Sequence, residues 1–68
     1  EDSYIVELKY CKPGTSDEQL NHLFEEASAQ IRRYANSDIV HKSVKTTKLH
    51  QLVVIYRGAE MAMCEEVE

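Results

Sequence analysis

Two strand-like runs on either side of a long helical segment constrain the fold of this chain more than any other feature. The first run is YIVELKY, residues 4–10, and the second is LVVIY, residues 52–56; both contain the β-branched and aromatic residues that favour strands. A hairpin cannot join parallel strands, whereas a helical crossover can. The connection therefore predicts that these strands are parallel neighbours in one sheet. After a short reversal at 57–59, a last strand at 60–67 should pair antiparallel with its predecessor.

Local signals set the ends of the predicted helix. A Pro-Gly turn at 13–14 ends the first strand, because Pro presets φ and Gly accepts a positive φ at the next turn position. Ser16 stands three residues ahead of Gln19, which is a capping-box arrangement. The helix should therefore begin at about Asp17 and stop at 36–37. Its apolar positions have the spacing of an amphipathic helix and are Leu20, Leu23, Phe24, Ala27, Ile31 and Tyr34.

These elements predict an α/β (α+β) domain over residues 1–68, with a mixed three-stranded sheet and one main helix. Ser37 is a candidate cap for a second, short helix over 38–42, and the polar segment 45–48 is expected to be a loop. The apolar run 52–56 should be buried on both faces. The alternative topology is an all-antiparallel meander.

Alternation along the strands predicts which side chains share a face. We expect the helix to meet the apolar side of the first strand, which carries Tyr4, Val6, Leu8 and Tyr10. Glu7 and Lys9 should then lie on the opposite, more open face. In the last strand, one side is expected to carry Met61, Met63 and Val67, and the other Ala62 and Cys64.

Composition limits the classes of protein to consider. The net charge of −4 argues against a free-standing nucleic-acid binder, although the stretch 27–57 is basic. The chain has 2 cysteines, Cys11 and Cys64, which are too few for a disulfide scaffold, and no segment marks secretion or membrane spanning. We therefore expect a cytoplasmic protein with no membrane partner. The start at Glu1, almost directly in a strand, is typical of a piece excised from a longer protein.

Four polar residues are candidates for a functional site. Glu7 and Lys9 share one strand face at a separation of roughly 7 Å, which suits two groups that hold one small target between them. They form either a solvated strand face or a metal-binding carboxylate beside a lysine that stabilises negative charge. Gln30 and Tyr34 lie four residues apart on one helical flank. Either Gln30 is a boundary residue and Tyr34 a core residue, or the two belong to the same functional site as Glu7 and Lys9.

An E-x-K strand, a helix bearing Q-x-x-x-Y and a buried strand follow one another in this chain. This order resembles the C-terminal half of a PD-(D/E)xK nuclease-like domain with the helical motif of its RecB-type branch. More narrowly, YIVELKY, EEASAQIRRY and LVVIYRGAEMA are similar to a nuclease-like domain that follows an AAA-ATPase-like module in bacterial proteins of unknown function. The likeness spans residues 3–67.

The resemblance implies a partial restriction-endonuclease-like core and a role for each candidate residue. Glu7 would be a ligand for a divalent metal such as Mg²⁺, and Lys9 would be the catalytic lysine. Gln30 and Tyr34 would help to position the nucleic-acid backbone or the metal site. The chemistry is consistent, because hard cations prefer carboxylate oxygen and a lysine offsets charge in the transition state.

The chain departs from the family pattern at one essential position. The family supplies an aspartate on the strand before E-x-K, whereas Asp2 is too close to Glu7 for a hairpin to bring it alongside. The metal site is therefore half present, and the isolated piece is expected not to cleave nucleic acid. The upstream half of the parent domain is the expected partner that completes it, and nucleic acid is a possible partner of the parent.

Three functions remain open on the sequence. The chain is a fragment of a metal-dependent nuclease, a catalytically dead nuclease-like scaffold, or a small α/β domain with a chance likeness. In the third case its open strand edge and its face with Met61 and Met63 serve protein association. Because the first strand has a partner on one side only, a weak homodimer through that strand is also expected.

Overall fold

The predicted order of strand, helix, strand and strand is present. A computed structural model describes residues 2–37, 40, 42 and 48–68. Its elements are β1 (Asp2–Cys11), α1 (Asp17–Ala35), β2 (Lys48–Arg57) and β3 (Glu60–Val67). The sheet has 3 strands in the order β1-β2-β3, with β1 parallel and β3 antiparallel to β2. The mixed-sheet prediction is confirmed and the meander is wrong.

The ends of α1 follow the capping signals. The Ser16 hydroxyl accepts the Gln19 amide at 3.1 Å, and the Gln19 side chain accepts the Ser16 amide at 3.3 Å, so the predicted capping box forms. At the other end the Asn36 amide donates to the Arg32 carbonyl at 3.1 Å. Within the described residues, no helix is long and apolar enough to cross a membrane.

Contacts around the first turn join the start of α1 to the end of β2. Arg57 donates to the Asp17 carboxylate at 2.8 Å, and the Gly58 amide donates to the Cys11 carbonyl at 2.9 Å. Gly58 has φ +64°, and a Cβ there would lie 2.9 Å from the Pro13 ring. A side chain at position 58 would therefore be strained and would clash, which accounts for glycine in this turn.

The core lies between α1 and the sheet. Ile31 of α1 and Val53 and Ile55 of β2 are its largest fully buried side chains. The cluster also includes Leu20, Ala27 and Val67, with Ile5, Cys11, Leu23, Phe24, Ala62 and Met63 packed at its margin. The predicted helical stripe is confirmed except for Tyr34, and β2 is most deeply buried at the two positions that face the helix.

The predicted face of β1 is wrong. Its apolar side chains point away from α1 and are largely exposed: Tyr4 is 60%, Val6 55%, Leu8 46% and Tyr10 70% exposed. The register pairs Glu7 with Val53 and Lys9 with Ile55, so the charged side of β1 continues the buried side of β2. The central strand decides the face, because residues paired across a sheet point the same way. Long Glu and Lys stems can border a core while their heads reach water.

Two further expectations about the strands are corrected. A register shift pairs Ile55 with Met63 but Tyr56 with Met61, so an irregularity in β3 separates the two methionines. Met61 is 53% exposed, whereas Met63 packs against the core. In addition, Lys48 is the first residue of β2 and not part of a loop, because the parallel pairing with β1 extends to Asp2.

The predicted short helix over 38–42 lies largely outside the described residues, as does the segment 43–47. Val40 is described and buried, and its amide donates to the Ser37 hydroxyl at 3.3 Å. This contact is the one that a capping serine makes with the third residue of a helix.

His50 links all three strands on the sheet face opposite α1. Its ring stacks on Tyr4 of β1 with centroids 4.8 Å apart. Its Nδ1 lies 2.8 Å from the Glu66 carboxylate of β3, and its Nε2 lies 3.4 Å from the Asp2 carboxylate of β1. The hydrogen bond to Glu66, supported by Asp2, raises the pKa of His50, although desolvation of the ring opposes the rise.

The orientation of β2 predicts different costs for two neighbouring valines. Val53 is fully buried under α1, whereas Val54 is half-buried on the open face. Val53→Ala should lower the free energy of unfolding by about 2–3 kcal/mol through lost burial and a residual cavity. Val54→Ala should cost about 1 kcal/mol or less. Urea unfolding measures the free energy of unfolding of both variants. An equal or larger decrease in Val54→Ala would contradict the packing of α1 against the Val53 face of the sheet.

The His50 cluster predicts a pH dependence of stability. In the folded protein the pKa of His50 is raised above its ordinary value of 6.5. The contribution of protonated His50 to the free energy of unfolding is therefore complete below pH 6.5 and is lost as the pH rises through the folded pKa. Urea midpoints should therefore fall as the pH is raised through this range, in parallel with the His50 titration followed by NMR. Glu66→Gln should flatten the dependence. His22→Asn, at an exposed helical site, is the control, and a dependence unchanged in Glu66→Gln would contradict the assignment.

Candidate functional site

Glu7 and Lys9 lie at the border between β1 and α1. The Glu7 side chain is 30% exposed and the Lys9 side chain is 28% exposed. Both lie on the same side of the sheet as the core. The Lys9 ammonium lies 3.4 Å from a Glu7 carboxylate oxygen. The two groups were expected to stand apart and hold a target between them, but their flexible stems bring the heads together. In the structure the pair is a half-buried ion pair along one strand.

Gln30 lies beside Lys9. Both residues line a shallow depression of about 350 Å³ between β1 and the exposed flank of α1. The other residues that line it are Glu26, Ala29 and Arg33. Gln30 is itself exposed, so its amide is available in the depression. The strand motif and the helix motif therefore meet at Lys9 and Gln30, with Glu7 connected through its ion pair.

Tyr34 is not among the residues that line this depression. Its side chain is 56% exposed, so the prediction of a core position is wrong. The buried stripe of α1 is centred on Ala27, Ile31 and Ala35, and Tyr34 lies at its margin. The structure thus brings together Glu7, Lys9 and Gln30, whereas Tyr34 lies exposed on α1 outside the depression.

Two residues of the depression were missed by sequence reasoning. Glu26 and Arg33 line it together with Gln30, at spacings of four and three residues along α1. Such spacings place side chains on one helical flank, so the pattern 26, 30, 33 was present in the sequence. The pattern by itself does not predict a site, because only the folded structure places Lys9 beside this flank of α1. The charges of the neighbourhood are mixed, with Lys9 and Arg33 cationic and Glu7 and Glu26 anionic.

A complete site for a divalent metal is not formed by the described residues. Among them, no group of three or more His, Cys, Asp or Glu side chains could hold a metal ion. Mg²⁺ requires near-octahedral oxygen coordination and is commonly bound through one or two carboxylates. Glu7 fits as one such ligand, but the donor set around it does not fit a bound Mg²⁺ by itself.

The cluster around His50 does not provide an alternative metal site. Its two ring nitrogens face different carboxylates, Glu66 on one side and Asp2 on the other. These three groups therefore do not converge on one point.

The free cysteines Cys11 and Cys64 differ in burial, since Cys11 borders the core and Cys64 is exposed.

Comparison with known proteins identifies one family. The profile of the PD-(D/E)XK nuclease superfamily matches residues 1–66. Searches of curated proteins and of solved structures gave no significant match. The matched range contains all the candidate residues of both motifs, including Tyr34.

Proposed function

This chain belongs to the PD-(D/E)XK nuclease superfamily, and we propose that it is the C-terminal half of a domain that hydrolyses nucleic-acid phosphodiester bonds in its parent protein. Nucleases of this superfamily generally use divalent metal ions. The observation that carries the proposal is the meeting of Lys9 and Gln30 in one depression, next to the carboxylate of Glu7. Two motifs far apart in sequence thus converge on one polar surface.

Each candidate residue has a role in this proposal. Glu7 supplies one carboxylate ligand for Mg²⁺, and the remaining ligands come from the upstream half of the parent domain. Lys9 places an ammonium group where it offsets negative charge on a phosphate. Gln30 and Tyr34 position the nucleic-acid backbone from the helix. The isolated chain is inactive, and the parent combines this domain with an AAA-ATPase-like module.

A second candidate function is a catalytically dead nuclease-like scaffold. The specific observation in its favour is the apolar sheet face opposite α1, where Tyr4, Val6, Leu8 and Tyr10 are largely exposed. An exposed apolar surface of this kind marks a contact with another polypeptide. The net charge of −4 also fits a scaffold better than a strong nucleic-acid binder.

The incomplete donor set predicts that the isolated chain does not cleave DNA or RNA with Mg²⁺ or Mn²⁺. Weak metal binding at Glu7 is expected, because a divalent cation must compete with Lys9 for this one carboxylate. Paramagnetic broadening by Mn²⁺ should therefore be strongest at the Glu7 and Lys9 amides and weaker in Glu7→Gln. Glu25→Gln, a helix carboxylate at an exposed position, is the matched control.

The parent protein tests the two candidate functions. Metal-dependent cleavage that is lost in both Glu7→Gln and Lys9→Met would support the nuclease. A parent that shows no cleavage under any metal would support the scaffold. Robust cleavage by the isolated chain, abolished by Glu7→Gln, would refute the half-site.

The edge position of β1 predicts a weak homodimer. β1 is an outer strand of the sheet, so one row of its backbone groups lies at the edge. A two-fold axis near Leu8 would join two copies antiparallel and place Glu7 of each opposite Lys9 of the other. Sedimentation and NMR relaxation should then show association that weakens on dilution.

Substitution separates this edge contact from association through the apolar face. Glu7→Lys should abolish an edge dimer, because four cations would then face one another. Val6→Lys should instead abolish a contact made through the open face, on which Val6 lies 55% exposed, because in the edge dimer Val6 would face Tyr10 and not a cation. A protein that is monomeric at millimolar concentration, with protected β1 amides, would contradict the prediction.

A further inference from the structure

Arg33 has no role in the function proposed above, yet it lines the same depression as Lys9. We propose that Arg33, Lys9 and the Gln30 amide form a subsite for one phosphate group of a nucleic-acid backbone. The identification of that anion as a backbone phosphate rests on the proposed function. Glu26 lies in the same depression and limits the affinity of this subsite for an anion.

The three donors have complementary chemistry. The guanidinium group of Arg33 presents a planar fork that fits two oxygens of a phosphate, whereas the Lys9 ammonium is a compact point charge. Gln30 adds neutral N–H donors on the same flank. They come from two elements, β1 and α1, that line one depression. All of these donors suit the oxygens of a phosphate group.

The neighbouring arginine provides the contrast that singles out Arg33. The Nε of Arg32 donates to the Glu68 carbonyl oxygen at 2.9 Å, so Arg32 holds the backbone just after β3 against the helix. Consecutive residues on a helix point about 100° apart. Arg32 and Arg33 therefore carry the same charge on the same turn but serve different surfaces. Only Arg33 of the two lines the depression.

The acids explain why binding should be weak in the free chain. Glu7 already pairs with Lys9, at 3.4 Å, and Glu26 lies among the cations of the depression. A phosphate must compete with both carboxylates. Removing the charge of Glu26 should therefore tighten binding, whereas removing the charge of Arg33 should weaken it. Simple charge attraction also gives these signs, so the comparison of Arg33 with Arg32 is what distinguishes a subsite from a solvated helix surface.

The test is a titration with single-stranded oligothymidylate in the presence of EDTA, followed by amide chemical shifts at low salt. We expect the shifts to concentrate at Lys9, Gln30 and Arg33. Arg33→Gln should weaken binding several-fold and lower the slope of log K against log salt by about 0.7, the value for one phosphate contact on a single strand. Arg33→Lys should recover part of the affinity, and Glu26→Gln should increase it several-fold.

Arg32→Gln is the matched control, because it removes the same charge from the same turn. It should change the salt slope much less than Arg33→Gln, with thermal unfolding used to confirm that each variant is folded. Equal effects of the two substitutions, shifts spread over all basic residues, or no binding at millimolar probe would each overturn the subsite. Because EDTA excludes metal, these results do not depend on cleavage. If the parent cleaves nucleic acid in a Glu7-dependent way and Arg33→Gln leaves cleavage and binding unchanged, the phosphate subsite is wrong while the proposed nuclease function stands.

Discussion

Burial of Val53 and Ile55 beneath α1 is the contact on which the rest of this structure depends. Both side chains come from the central strand, and with Ile31 they are the largest groups fully removed from solvent. A small domain buries a limited fraction of its surface, so a few central side chains carry much of its stability. Their position determines which side of the sheet the helix covers, and the parallel register transfers that choice to β1.

The candidate site is a consequence of this arrangement. Because Glu7 and Lys9 are paired with Val53 and Ile55, their side chains emerge beside the helix, where Gln30, Glu26 and Arg33 meet Lys9. Had the apolar side of β1 faced α1, the E-x-K motif and the helix motif would lie on opposite faces of the sheet. The orientation that leaves Tyr4 and Tyr10 exposed is thus the one that brings the two motifs together.

The two faces of the sheet have different chemistry. One face has the helix, the core and a polar depression with charges of both signs. The other combines a largely exposed apolar row on β1 with the His50 cluster, which connects the strands through Tyr4, Asp2 and Glu66. The proposed nuclease half-site and the proposed surface for another polypeptide are therefore compatible within this domain, because they occupy different sides of one sheet.

The sequence by itself determined the elements, their order and the mixed sheet, because these depend on local signals such as the Ser16 cap and on the crossover through α1. It also identified Glu7, Lys9 and Gln30 as candidates. Only the tertiary structure decided which face of β1 meets the helix, where Tyr34 points, and that Arg33 and Glu26 join Lys9. The physical reason is that a strand's two faces are distinguished by its neighbours in the sheet, and no local pattern within β1 contains that information.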